Sequence, residues 1–227
     1  MSASSRSDGG AAAIGATTAM RVAADLRRRI LIGELAPGRR LKIDEVAERC
    51  EVSHMPVRDA LHALEREGVL DVIPHRGAVI RPVDPQFVRN VYDLRAAIEG
   101  MLTERCAEGI DAAGIAELTA LADTFEDAST GLDPVRLVDA NRQLHDAINR
   151  HARNPDAVRM LAQGRLLIDA LRVRFGYGPR RTGAVVAEHR QILKAIGRHD
   201  VARAGSLARA HCTRARDDLL ARMKSGG

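Results

Sequence analysis

Apolar side chains recur at three- and four-residue spacing through most of the chain, which is the period of an amphipathic helix. The pattern is clearest where Val57, Leu61 and Leu64 fall on one helical face. Ser53 precedes this run as a candidate N-cap, and Gly68 follows it as a candidate left-handed C-cap. The spacing therefore predicts a short helix with one apolar and one polar face.

The flanking segments place this helix in a larger unit. Upstream, residues 44–50 predict a second short helix, and two short helices joined by a tight turn form a helix-turn-helix. Downstream, the apolar runs 69–73 and 78–82 flank a Pro-His-Arg-Gly turn, which predicts a two-stranded hairpin with a basic tip. With a first helix predicted over 20–32, residues 18–83 form a winged helix-turn-helix with three helices and a two-stranded wing.

The helical period continues after this unit, and no stretch gives a convincing strand pattern. Gly and Pro breaks separate six predicted helices with short connections, which make an all-α antiparallel bundle over residues 88–223. The six helices are predicted over residues 87–108, 112–129, 135–151, 156–175, 182–198 and 201–223. Residues 84–87 are then a short linker. Residues 1–17 are rich in Ser, Gly, Ala and Thr with little periodicity, and we interpret them as a disordered tail.

Composition supports a mainly α fold and a reducing compartment. Aromatic residues make up 2% of the chain and Trp is absent, so the cores depend on aliphatic residues of helices packed on helices. The three cysteines are odd in number and show no CxxC spacing, which is typical of a cytoplasmic protein. No apolar run approaches membrane-spanning length, and the N-terminus shows no signal-peptide pattern, so we expect no membrane association.

Net charge alone says little about nucleic-acid binding. The chain carries a formal charge of +5 at pH 7, but residues 18–83 contain twelve Lys and Arg against ten Asp and Glu. The positions of the arginines therefore matter more than bulk charge. Arg27, Arg28 and Arg29 are consecutive and fan around the first helix. They form either a solvated cluster or a set of phosphate contacts, and the sequence leaves both alternatives open.

Several spaced motifs of the first unit resemble those of the GntR family of bacterial transcription regulators. Residues 32–41 (IGELAPGRRL) are similar to the family's GxLxPGxxL opening, and residues 52–61 (VSHMPVRDAL) to its VSxxPVRxAL signature. Residues 64–70 (LEREGVL) and the Arg-Gly-Ala at 76–78 follow its LxxEGLV…RGA continuation. The resemblance implies a DNA-binding winged helix whose second motif helix enters the major groove.

This resemblance implies a set of DNA contacts on the second motif helix and the wing. Arg58 is the best candidate for a base or phosphate contact. Two groups complete the expected surface: groove contacts from Ser53, His54, Met55 and His62, and backbone or minor-groove contacts from Arg76 and Gly77 at the wing tip. The family often has Arg and Thr where this chain has His54 and Met55, so its usual operator preference does not carry over.

The second half resembles the all-helical ligand-binding domain of the FadR subfamily of GntR regulators, often called the FCD domain. The resemblance rests on looser motifs: LRAAIE at 94–99, NRQLH at 141–145, Asn154-Pro155, EHRQILKAI at 188–196, and His211 in the last predicted helix. It implies a bundle that binds a small molecule and, within its interior, a metal ion.

The candidate metal ligands are Asn141, His145, His189 and His211. Asn141 and His145 are four residues apart on one helix face, and the other two lie on later helices, so a bundle can bring all four inward. Three imidazoles and an amide oxygen suit zinc, nickel or manganese, with positions left for water or an anion. Spacing alone favours ordinary core or surface histidines, whereas the resemblance favours a metal site.

Two further residues bear on the ligand. The family often has Asp at the position of Asn141, so the amide leaves the site one negative charge short, and our hypothesis is that a bound carboxylate supplies it. Arg95 lies near the apolar stripe of the first bundle helix, and its planar guanidinium can hold a carboxylate at two points. Arg95 is either an effector-binding residue facing the cavity or an exposed or interhelical arginine.

Together these features predict a ligand-responsive transcriptional regulator. We expect a homodimer on a double-stranded DNA operator with half-sites ~34 Å apart, acting as a repressor that a small organic acid releases. Two alternatives remain: a metal-dependent small-molecule hydrolase fused to a DNA-binding module, and an effector-independent DNA-binding protein. The sequence contains neither an HExxH motif nor a Gly-rich phosphate loop, so we do not expect an enzyme.

Overall fold

The computed structural model describes residues 8–74, 76–178 and 180–225, with side chains from Thr17 onward. The chain divides into two compact units, residues 1–82 and 83–227. His75, in the middle of the predicted wing turn, lies outside the described residues.

The first unit is a winged helix-turn-helix with a sheet of three strands. Its elements are α1 (Asp8–Leu31), β1 (Arg40–Leu41), α2 (Ile43–Cys50), α3 (His54–Arg66), β2 (Leu70–Ile73) and β3 (Gly77–Ile80). The strands are antiparallel in the order β1-β3-β2, with Arg40 opposite Val79 and Asp71 opposite Val79 on the other side. The predicted wing had two strands; β1 was missed because two residues are too few to show a period.

The first helix begins earlier than predicted. We expected it at Met20 and interpreted residues 1–17 as a disordered tail, but α1 runs from Asp8. The segment between Asp8 and Thr17 contains several alanines, and Ala has the highest intrinsic helix propensity, so a helix extends through it without an apolar stripe. Residues 1–7 lie outside the described residues.

The ends of α3 follow the predicted chemistry only in part. Ser53 occupies the N-cap position in extended geometry, but its side chain makes no capping hydrogen bond. Gly68 has φ +66° at the other end, as a left-handed stop requires. Glu65 Oε1 accepts a hydrogen bond of 2.9 Å from the Val72 backbone N–H, which attaches α3 to β2 and lowers the pKa of Glu65. This hydrogen bond therefore connects the wing to α3, the second helix of the helix-turn-helix.

Gly77 at the start of β3 is required by the backbone. Its φ is +88°, in the region that glycine alone adopts without cost, and a methyl group there would lie 2.0 Å from the carbonyl oxygen of Leu41. This close approach is part of the β1–β3 pairing, because Leu41 is paired with Ala78. Gly77 is also buried, so the fold itself requires a glycine at this position.

We expect Gly77→Ala to lower the free energy of unfolding of the first unit by roughly 2–4 kcal/mol, since it combines left-handed strain of ~1–2 kcal/mol with a steric clash. Urea unfolding followed by circular dichroism measures this. Gly33→Ala is the matched control, because Gly33 has φ +81° but nothing within 4 Å of an added methyl group. Equal losses for the two variants would show that the approach of Leu41 does not matter.

The second unit contains seven helices among its described residues. They are α4 (Pro85–Gly109), α5 (Ala112–Ser129), α6 (Pro134–His151), α7 (Pro155–Leu161), α8 (Arg165–Phe175), α9 (Arg181–Gly197) and α10 (Val201–Ser225). The predicted bundle had six, because residues 156–175 were assigned to one helix. Gly164 divides that segment with φ +69°, where a side chain would press on Phe87 at 3.0 Å.

The start and the buried face of α4 also differ from the prediction. Asp84 caps the helix by accepting a hydrogen bond of 2.7 Å from the Phe87 N–H, so the predicted linker 84–87 is mostly helical. The helical period of the apolar residues predicts Leu94 on the inner face, but its side chain is 59% exposed. Buried positions on α4 include two charged ones, Arg95 and Glu99. The inner face of α4 is therefore partly polar. A prediction that puts only apolar residues on the buried face of a helix assigns this face wrongly.

Within the described part of the chain, we find no helix both long enough and apolar enough to span a bilayer. All three cysteines are free thiols, and Cys106 and Cys212 are buried. The cores of the second unit are built from aliphatic side chains with one fully buried large aromatic ring, Phe125.

Candidate metal centre and nucleic-acid interface

Three of the predicted ligands meet inside the second unit. His145 on α6, His189 on α9 and His211 on α10 are all buried, with ring centroids 5.0–5.4 Å apart. Each offers one nitrogen, and these three nitrogens lie within 4.8 Å of one another. The helical bundle thus brings three imidazoles from three separate helices close together.

Two carboxylates orient the outer imidazoles of this cluster. His145 Nδ1 donates to Glu99 Oε2 at 3.0 Å, and His211 Nδ1 donates to Glu188 Oε2 at 2.7 Å. A proton fixed on Nδ1 leaves the lone pair on Nε2, and carboxylates hold metal-binding histidines in this way. The two carboxylates therefore hold these imidazoles in an orientation that suits a metal ion.

Two histidines of the cluster have ring nitrogens without a hydrogen-bond partner among the described residues. His145 Nε2 and both ring nitrogens of His189 are buried and make no hydrogen bond there. A buried polar atom without a partner costs ~1–3 kcal/mol, and a cation bound between the rings would remove that cost at one nitrogen of each histidine. The orphaned nitrogens and the imidazole donor set therefore fit a divalent metal such as zinc.

The protonation states also suit metal binding. Burial lowers the pKa of His189 well below its ordinary value, with the neighbouring histidines adding to the effect. Burial lowers the pKa of His211 to about 4, although the Glu188 carboxylate acts in the opposite direction. Both imidazoles are neutral at pH 7, so their lone pairs are available to a metal.

Glu99 and Glu188 belong to the candidate site, although the sequence offered little reason to expect them there. Burial opposes ionisation of Glu99, but the charge of Arg95 and the hydrogen bond from His145 keep its pKa well below the usual range. Burial likewise opposes ionisation of Glu188, and hydrogen bonds from His211 and Arg181 bring its pKa to about 2. Both carboxylates are thus ionised beside the imidazoles. Their only sequence signal was proximity: Glu99 follows Arg95 by one helical turn, and Glu188 precedes a histidine.

Asn141 and Arg95 lie on a cavity next to the cluster. The cavity measures about 30 Å³, and both residues line it together with His211. Arg95 is buried; its Nε donates to Glu99 Oε1 at 2.8 Å, and its guanidinium carbon lies 5.3 Å from the centre of the Tyr92 ring. Of the two alternatives for Arg95, the structure therefore supports the cavity-facing one.

The predicted DNA contacts on α3 form one exposed surface. The exposed residues of this surface are Ser53, His54, Met55, Arg58 and His62. His54 Nε2 lies 3.1 Å from Asp44 of α2, and His62 Nδ1 lies 3.1 Å from Glu65, so both rings have local partners. Met55 is 65% exposed, so its side chain is free to contact a base edge.

The wing and the recognition helix share a cleft. Arg58, Arg76 and Gly77 line this cleft of about 310 Å³, and so do Arg40 and Lys42 of the β1 segment. Arg40 donates to the Arg76 backbone carbonyl at 3.0 Å, which links β1 to the wing turn. Arg40 and Lys42 were not among the predicted contacts, although the sequence has a basic run after the Pro-Gly turn. Four basic side chains around one cleft are suited to a phosphate backbone.

The arginine cluster of α1 is largely used within the first unit. Arg27 Nε donates to Glu67 at 3.0 Å, and Arg29 Nε donates to Glu34 at 3.1 Å. Arg28 is the most exposed of the three and makes a 3.4 Å contact with Asp25. The structure therefore favours an intradomain role for Arg27 and Arg29 over phosphate contacts.

Comparisons with known proteins give similarities to both units. The gntR family of bacterial regulatory proteins matches residues 18–80, and the FCD domain matches residues 90–214. An HTH-type transcriptional regulator of Streptomyces ambofaciens is 32% identical over 86% of this chain and 81% of its own length. The HTH-type transcriptional repressor RspR of Escherichia coli is 38% identical over 37% of each chain. The solved structure of Escherichia coli McbR/YncC has a TM-score of 0.78 at 22% identity, covering 91% of this chain and 98% of that one, which shows a shared fold.

Proposed function

We propose that two ligands control DNA binding by this chain, which belongs to the gntR family of bacterial regulatory proteins and carries an FCD domain. The ligands are a divalent metal and a small carboxylate. Both bind in the second unit, and the first unit binds DNA. That the protein is a DNA-binding transcriptional regulator follows from the family. The metal and the effector are our proposal. The single observation that carries it is the buried cluster of three histidines, in which His145 Nε2 and both nitrogens of His189 have no hydrogen-bond partner among the described residues.

The metal would be held by His145, His189 and His211, with Asn141 as a further oxygen donor from the adjoining cavity. When bound, it supplies a Lewis-acidic centre to which a carboxylate can attach. The amide of Asn141 adds no negative charge, but Glu99 and Glu188 supply two beyond the imidazoles. These carboxylates raise the basicity of the imidazoles that they orient, which favours metal binding despite the neutral amide.

Arg95 would hold the effector on the side of the cavity. Its Nε is committed to Glu99, which fixes the plane of the guanidinium, and the remaining nitrogens can then bind a carboxylate. A small organic acid would thus be attached at one end to the metal and at the other to Arg95. The pairing with Glu99 explains how a guanidinium can remain buried and oriented before the ligand enters.

Coupling to DNA follows from two-fold symmetry. We propose a cytoplasmic homodimer in which each copy presents α3 to one half-site, with the half-sites ~34 Å apart. An effector that binds one arrangement of the bundle better than another shifts the population of dimers able to span both half-sites. We propose a repressor that the effector releases, in line with the repressor name of the Escherichia coli relative RspR.

The test begins with in vitro selection of the bound DNA sequence from a random pool. Fluorescence anisotropy then measures operator affinity for protein stripped of metal, for protein reloaded with zinc, and for zinc-loaded protein with a panel of small carboxylates. We expect at least one carboxylate to lower operator affinity tenfold or more, and only in the presence of zinc. Sodium chloride at equal ionic strength is the control. Unchanged affinity throughout the panel, or chemical turnover of the added acid, would contradict the proposal.

A further inference from the structure

The cavity beside the histidine cluster contains a carboxylate that the proposed function does not use. Asp169 lies on α8 and lines the cavity together with Arg95 and Asn141. Within the described ranges of the chain, its carboxylate accepts no hydrogen bond. Its ion pair with Arg165 Nε spans 3.9 Å, and the same arginine is bound through Nη1 to Asp146 at 2.5 Å. Asp169, whose side chain is 17% exposed, therefore has no close protein partner among the described residues.

The other charged groups of the cavity wall already have close partners. Arg95 is paired with Glu99 at 2.8 Å, and Arg172 with Asp218 at 2.5 Å. Burial raises the pKa of Asp169, which means that its ionised form is short of favourable interactions. The wall thus presents arginines whose charges are balanced and one carboxylate whose charge is not.

A guest molecule can correct this imbalance only if it carries a cation. A hydroxyl group would satisfy one lone pair of the carboxylate but would leave its charge unpaired. A protonated amine supplies both the hydrogen bond and the charge, and such charge-assisted bonds are about twice as strong as neutral ones. The cavity is small, with a free volume of about 30 Å³, so the guest must be a small molecule.

We infer that the effector is a small amino acid whose carboxylate binds at the metal and Arg95 and whose ammonium binds Asp169. This inference rests on the proposed function and narrows it from organic acids in general to zwitterions. It also assigns Asp169 as the residue that distinguishes an amino acid from the corresponding simple or hydroxylated acid.

Three acids that differ only at the α carbon test this directly: propionate, L-lactate and L-alanine. Isothermal titration of each into the zinc-loaded full chain gives the dissociation constants. We expect alanine to bind at least tenfold more tightly than lactate or propionate. In Asp169→Asn, alanine should lose tenfold or more, while propionate changes less than about twofold. Asp127→Asn is the matched control, because Asp127 is exposed on α5, and it should leave all three affinities unchanged.

The outcomes separate this inference from the function on which it rests. If a wider panel of carboxylates binds but no amino acid does, or if Asp169→Asn retains the preference for alanine, the assignment of Asp169 is overturned and the proposed regulator stands. If no carboxylate binds at all, both are overturned. Thermal unfolding of Asp169→Asn with zinc establishes that the variant is folded, and Asp169→Glu, which keeps the charge, should retain the preference for alanine over propionate.

Discussion

Replacing His189 by alanine is expected to remove tight zinc binding from the protein. Loss of an outer-shell hydrogen bond alone weakens metal sites by roughly 10–100-fold, so loss of a direct ligand should exceed about 100-fold. His189 is the most informative of the three histidines, because both of its nitrogens are without partners and its removal leaves no carboxylate behind. Competition with a chromogenic zinc chelator measures the affinity, and elemental analysis measures the metal content of the purified protein.

The same variant should also lose stabilisation by zinc. A metal at 1,000 times its dissociation constant stabilises the folded chain by about 4 kcal/mol, which appears as a rise in the melting temperature. His189→Ala should show little of this rise. The control is His151→Ala, since His151 lies at the end of α6 and pairs with Glu117 outside the cluster. One tightly held equivalent of zinc in His189→Ala would refute the metal site.

The structure also changes the charge argument made from the sequence. Asn141 suggested a site that lacks one negative charge and therefore binds metal weakly. Glu99 and Glu188 are ionised and hydrogen-bonded to two of the imidazoles. The negative charge therefore lies on the residues that hold the candidate ligands and not on a ligand itself. Nothing in the spacing of Glu99 relative to His145 could have revealed this contact, because the two residues lie on different helices.

The sequence predicted the helices of this protein better than its sheet. Strong periodicity located α2 and α3 to within one or two residues, since their apolar faces alternate with charged ones. The two-residue strand β1 and the break at Gly164 were not predicted, because both involve residues that are distant in the sequence. For Gly164 that contact is the Phe87 ring, and no local signal distinguishes it from a tolerated helical glycine.

The residues of the candidate sites could be predicted from the sequence where few residue types can perform the role, as with histidine for a metal ligand. A histidine in each of three helices can be found in a sequence, and the structure brings His145, His189 and His211 together. The partner groups could not be found in this way. Asp169 was assigned to a helix without comment, because its environment depends on which residues of four other helices surround it.

Arg58→Ala is expected to abolish specific operator binding without unfolding the protein. Arg58 is exposed on α3, lines the basic cleft with Arg76, and forms no hydrogen bond or ion pair with any described residue. A bidentate contact from arginine to a base is worth ~1–3 kcal/mol, and the proposed dimer presents Arg58 twice. The loss is therefore about 2–6 kcal/mol per dimer, or roughly 30-fold in affinity or more. Anisotropy on the selected operator measures it.

The salt dependence of the same measurement decides what Arg58 contacts. If it binds a phosphate, the slope of log affinity against log salt becomes shallower by about one for each lost contact, and affinity falls equally on all sequences. If it binds a base, the slope is nearly unchanged and discrimination at one position of each half-site relaxes. Arg136→Ala is the control, because it removes the same charge from an exposed position in the second unit. Operator affinity equal to that of the unmodified chain would exclude Arg58 from the interface.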